Sequence, residues 1–148
     1  MLQRIQSIFL ALASGASFSL FGVPFLGADS TASAASGLTV LNDGIFNLFD
    51  HVGLMVVAGA AGLLALVNIF LFKNRKLQIR LDTLFIVLQL VLVGLAGFLV
   101  YADAQLAAGH ILPKLGVAMP FLGVIFAFLA TRNIKKDEAL VRSADRLR

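Results

Sequence analysis

The chain has 148 residues, of which 59 % are hydrophobic and 14 % charged, with no cysteine and a formal net charge of +4. Soluble domains carry roughly 25 % charged residues, and a chain of this length folds as a single small domain. An ordinary water-soluble globule is therefore excluded, most of the apolar surface must face lipid, and disulfide and thiol chemistry are excluded as well.

The first apolar stretch, at about residues 5–26, predicts a membrane helix diluted by Ser7, Ser14, Ser17 and Ser19. A charged start, this run and the following Ala32-Ser33-Ala34 also fit a cleavable secretory signal. The run is longer than a signal core of roughly 7–15 residues, so the reading is a retained helix. An outer loop at 27–47, rich in Ala, Ser, Gly and Thr, has little to bury and is predicted to be partly mobile. Residues 52–72 predict the most secure span, with Asn68 its one strongly polar residue. The short loop 73–80 joins it in a tight antiparallel hairpin to a third span at 83–101. The fourth runs from about 111 to 134, with Lys114 snorkelling outward and Pro120 kinking the helix without breaking it. The tail 135–148 predicts a short amphipathic helix, Leu140, Ala144 and Leu147 on one face, with Glu138 and Arg142 paired four residues apart.

Placed on these spans, eleven of the twelve Lys and Arg residues fall on one side: Arg4, Lys73, Arg75, Lys76, Arg80, Arg132, Lys135, Lys136, Arg142, Arg146 and Arg148. Only Lys114 falls on the other. Cytoplasmic loops are enriched in Lys and Arg, which puts both termini in the cytoplasm. That face also holds four acidic residues and is net +7, against −3 outside. The basicity is thus a topology signal and a means of holding anionic head groups, not a nucleic-acid footprint. The predicted fold is all-α, an integral-membrane four-helix bundle with a short cytoplasmic amphipathic C-terminal helix.

Close helix approach in lipid relies on small residues. Ala11, Gly15, Ser19 and Gly22 are placed on one packing face of the first helix, Ala58, Gly62 and Ala65 on the second, and Gly123, Ala127 and Ala130 on the fourth. The Ala58-x-x-x-Gly62 face also offers a surface for a homodimer. Gln89, near the middle of its span, and Asn68 read as hydrogen-bonding glue between helices, or as the lining of a substrate path. No acidic or basic residue is placed at mid-depth, which argues against a proton pump, an ion-coupled transporter or a voltage sensor.

On the outer face Asp50, His51, Asp103 and His110 are weak candidates for a metal or proton site, since His with carboxylate can do either. The competing reading is that they mark helix ends, Asp50 capping the second helix. No phosphate loop, nucleophile elbow or intramembrane carboxylate pair is present, so no enzyme, catalytic residue or cofactor is expected.

The opening Met1-Leu2-Gln3-Arg4-Ile5-Gln6-Ser7, the loop Phe72-Lys73-Asn74-Arg75-Lys76-Leu77-Gln78 and the ending from Ile134-Lys135-Lys136-Asp137-Glu138 to Arg148 resemble a set of small bacterial membrane proteins. That set is domain-of-unknown-function family 4293, of Bacteroidetes and their relatives. The resemblance implies four helices with the start retained and directs attention to the cytoplasmic segments; it carries over no catalytic or binding residue. The expected function is a non-enzymatic accessory or scaffold subunit of the inner membrane. Lys73, Arg75, Lys76, Arg80, Lys135, Lys136, Arg142, Arg146 and Arg148 would dock anionic lipid, another membrane protein or a second copy. The alternatives are a small transporter or channel, or a metal- or redox-linked subunit using His51 and His110.

Overall fold

The computed structural model describes residues 2–28, 41, 43–72, 74–104 and 111–145, with the backbone alone for 2–4, 28, 103–104 and 144–145. Four helices carry the fold: α1 (Leu2–Ser19), α2 (Val52–Phe70), α3 (Arg75–Ala104) and α4 (Ala118–Asp145). α1 packs against α2 and α4, and α3 packs against the same two, so α1 and α3 stand diagonally opposed. Three short strands, β1 (Leu26–Ala28), β2 (Ile45–Phe46) and β3 (Ile111–Pro113), form an antiparallel sheet in the order β2-β1-β3. It lies at the end where α1 finishes and where α2 and α4 begin.

Each helix buries one stripe at the 3.6-residue period. On α2 it is Leu54, Ala58, Ala61, Gly62, Ala65 and Asn68. On α3 it is Gln78, Asp82, Phe85, Gln89, Leu92 and Ala96, and on α4 it is Pro120, Gly123, Ala127, Ala130 and Ile134. The remaining faces expose large apolar residues, among them Ile8, Val56, Leu63, Phe70, Leu90, Phe98, Ile125 and Phe128. Polar side chains inside and bare Leu, Ile and Phe outside invert the pattern of a helix facing water. Three of the helices are long and apolar enough to cross a membrane, over Val52–Phe70, Arg75–Ala102 and Leu115–Ser143.

Several boundaries differ from the sequence expectation. α1 ends at Ser19, not near residue 26, because Phe21 and Gly22 turn the chain by bonding back to Phe18 and Ser19, and Leu26 then enters the sheet. Its 18 residues extend about 27 Å, just short of a hydrocarbon core about 30 Å thick. The start of the fourth span, residues 111–117, is a strand and a 3-10 turn instead of helix. Pro120 is the third residue of α4, in the first turn, where the missing N–H costs nothing and no kink is required. The tail is not a separate amphipathic helix; α4 runs unbroken through it to Asp145, and Leu140 is exposed. Residues 26–28, where the first predicted span meets the outer loop, and 45–46 are strands, which adds a small sheet to a fold that stays predominantly helical.

The sheet seals its end of the molecule. Phe25 and Phe46 stack with ring centroids 5.3 Å apart, and with Leu41 and Leu48 they close over Leu20, Leu54, Leu92 and Ala96. Gly116 N–H donates to the Pro24 carbonyl at 3.0 Å. A Cβ at Gly116 would collide with that same carbonyl, so only glycine permits the approach.

Candidate functional site

At the end opposite the sheet, the turn between α2 and α3 meets the C-terminal half of α4. Arg75 bonds Asp137 at 2.9 Å across α3 and α4, and Arg142 bonds Glu138 at 2.7 Å along α4. Both nearby acids that lie on the surface are thereby matched to an arginine. Lys76, Arg80, Arg132, Lys135 and Lys136 are exposed, each with no salt bridge among the described residues. On α4, Arg132, Lys135 and Lys136 border a shallow groove floored by Phe128, Thr131 and Ala139. Cationic heads thus sit beside an apolar strip on one helix face. Lys73, Arg146 and Arg148 lie outside the described residues.

Behind these charges the interior is polar. Asn68 Nδ2 donates to the Gln78 carbonyl and Gln78 Nε2 to the Asn68 carbonyl, both at 3.1 Å, which locks the α2–α3 hairpin from both sides. One turn further along α3, Thr131 Oγ1–H on α4 donates to Asp82 Oδ2. Two turns beyond that, Gln89 Nε2 donates across the diagonal to Ser17 Oγ on α1 at 2.5 Å. Ser14 Oγ–H closes onto the Gly62 carbonyl at 3.0 Å. Gln6 on α1 is also buried. Beyond Gln89 the interior turns apolar up to the sheet, so the polar column ends blindly.

Asp82, one of the four acidic residues that the charge count places on the cytoplasmic face, is only 1 % exposed, and Gln78 and Gln6 are buried as well. The signal was available. Gln78, Asp82 and Gln89 recur at i, i+4 and i+11 with the apolar Phe85, Leu92 and Ala96, which is one helical face.

The small residues divide. Ala58 and Gly62 are buried, with the Phe18 ring 2.9 Å from where a Gly62 Cβ would stand. α1 therefore covers the face suggested for a homodimer. Gly123 is buried under Gln89, whose Nε2 lies 2.9 Å from the site of a Cβ. Gly15 is exposed with nothing within 4 Å of a Cβ, and Gly22 lies in the turn after α1 near nothing but the Ser19 carbonyl. Neither joins helices of this chain; the buried face of α1 is Leu10, Ala13, Ser14, Ala16 and Ser17. Ala11, placed with them, is exposed too.

At the sheet end, Asp50 Oδ2 accepts from Asn47 N–H at 2.6 Å and Asn47 Oδ1 accepts from Phe49 N–H at 2.8 Å, a capping box on the 3-10 turn Leu48–Asp50. The cap of α2 is His51, not Asp50; its Nδ1 accepts from Gly53 N–H at 3.1 Å. Partial burial holds the Asp50 carboxyl above the ordinary carboxylate range, opposed by the Asn47 N–H and reinforced by the charge of Asp43. His110 and the Asp103 side chain lie outside the described residues. No curated protein and no solved structure matches the chain. One family model does, over residues 2–147, and by that match the chain belongs to the family described as Domain of unknown function (DUF4293).

Proposed function

We propose that the protein is a four-pass protein of the bacterial inner membrane, a helix bundle with both termini in the cytoplasm. Its role is that of a non-enzymatic accessory or scaffold subunit that docks anionic lipid or an acidic partner through its basic end. The observation that carries this reading is the charge distribution at the end opposite the sheet. The surface acids Asp137 and Glu138 are tied to Arg75 and Arg142, while Lys76, Arg80, Arg132, Lys135 and Lys136 stand exposed. Basic residues at the cytoplasmic boundary attract the anionic inner leaflet, each contributing about 1 kcal/mol near the surface.

The first helix is the shortest span at about 27 Å. It completes the bundle between α2 and α4, and the turn after it leads straight into the sheet. Among the described residues no path opens through the molecule: Leu20, Phe25, Phe46, Leu54 and Leu92 close the half nearer the sheet. This favours the docking role over the transporter or channel reading.

The test is native mass spectrometry of protein extracted into lipid discs made with and without phosphatidylglycerol. Retention of anionic lipid should drop several-fold when Arg132, Lys135 and Lys136 are all changed to Glu. Reversal of Lys114, on the opposite end, should leave it unchanged. Equal loss from both variants, or from neither, would remove the basis for the docking role.

A further inference from the structure

The buried polar column is short of donors. Among the described residues, Asn68 Oδ1, Gln78 Oε1, Asp82 Oδ1 and Gln89 Oε1 are buried acceptor atoms with no hydrogen-bond partner, against a single buried unpartnered donor, Gln6 Nε2. Turning the amides over does not repair this. The nitrogens of Asn68 and Gln78 each donate to a backbone carbonyl, and that of Gln89 to a Ser17 hydroxyl whose own proton points to the Ala13 carbonyl. A buried acceptor left without a donor is costly, and an ionised carboxylate in such a place costs more.

Two of the four orphan atoms sit one turn apart on the inward face of α3, on Gln78 and Asp82. Side chains at i and i+4 lie within hydrogen-bonding reach of each other on a helix. One proton on Asp82 Oδ1 would satisfy both atoms and remove the buried charge. We propose that Asp82 is a buried protonation site, a neutral carboxylic acid whose Oδ1–H donates to Gln78 Oε1 while Oδ2, its carbonyl oxygen, accepts from Thr131.

Among the described residues no cation is placed to hold an ionised form. On α2 the polar residue of this region is Asn68, on α4 it is Thr131, and on α1 it is Gln6, all neutral. Arg132 and Lys135 on α4 and Arg80 on α3 point to the surface, and Arg75 is held by Asp137. Among the described residues Asp82 has no salt bridge. The site lies at the cytoplasmic end of the proposed bundle, so the proton would exchange with that compartment. It joins α3 to α4 at the level where Asn68 and Gln78 join α2 to α3.

The experiment is infrared difference spectroscopy of wild-type protein against Asp82→Asn in mildly acidic buffer, in a micelle of ester-free detergent. A protonated carboxylic acid shows a C=O stretch well clear of the amide and carboxylate bands. The expected result is that this band is present in the wild type and missing from Asp82→Asn, which unfolds at the wild-type temperature because the amide reproduces the neutral acid. Thr131→Val should move the same band to higher frequency by freeing the carbonyl oxygen, a readout that holds even where Asp82→Asn folds poorly. Wild-type protein without the band, with a melting temperature that rises with sodium or potassium, would overturn the proposal in favour of an ionised carboxylate binding a cation.

Discussion

Gln89 shows how a single side chain is held in this interior. Its amide spans the diagonal from α3 to Ser17 on α1 and sits against Gly123 on α4, so one residue touches three helices. Interhelical hydrogen bonds in membrane proteins contribute about 0.6 kcal/mol on average and up to about 1.7. Gln89→Leu should therefore lower stability by about 1 kcal/mol, measured by thermal unfolding in detergent, and leave the membrane impermeable to ions as before. A loss of solute flux with unchanged stability would instead support the transporter reading. Gly116→Ala should cost more, about 1–3 kcal/mol, because the neighbour it strikes is the Pro24 backbone and not a movable side chain. Gly15→Ala, at an exposed position with open space around it, should be neutral or slightly stabilising in the same assay.

Among the elements, the turn Leu48–Asp50 sets the entry of the chain into α2. Its box depends on two side-chain acceptors, Asn47 Oδ1 and Asp50 Oδ2, and losing one costs about 1 kcal/mol. Asp50→Ala should show that loss, while Asp50→Asn keeps an acceptor and drops the repulsion from Asp43. The pH dependence has a definite sign. The carboxyl is held above its ordinary value of 3.8 in the folded protein, so the folded state binds more protons than the unfolded one just above that pH. Stability relative to Asp50→Asn should therefore fall as pH rises through that window and then level off. A flat difference between the two proteins from pH 4 to 7 would show that the carboxyl is not perturbed.

For the whole molecule the question is which end faces which compartment. The chain has no cysteine, so single-cysteine variants report topology without background. With the sheet outside, a cysteine at Asp43 should react with a membrane-impermeant maleimide in cells whose outer membrane has been made permeable. Cysteines at Asn74 and Ser143 should react only after the inner membrane is opened. The reverse pattern would move the basic end outside and take the anionic inner leaflet away from it.

Length and composition determined the helical content and the three helices long and apolar enough to cross a membrane, because they report transfer of whole segments between water and hydrocarbon and need no partner to be known. Periodicity likewise placed the buried stripes of α2 and α4, since a stripe of small residues has one sensible face. On α1 the same reasoning failed. Alanine, glycine and serine surround that helix, and only the docking of α2 and α4 decides that Ala13, Ser14 and Ser17 turn inward while Gly15 does not. The sheet was hidden because strands two or three residues long have no periodicity, and β1 pairs with β3 far along the chain. The burial of Asp82 was hidden for a related reason. A charge beside an apolar run is normally wet, and what buries this one is Thr131, brought against it by the packing of α3 on α4. Sequence fixes what each segment prefers as a solvent; which polar atoms lose their water is settled only when helices distant in the chain close over them.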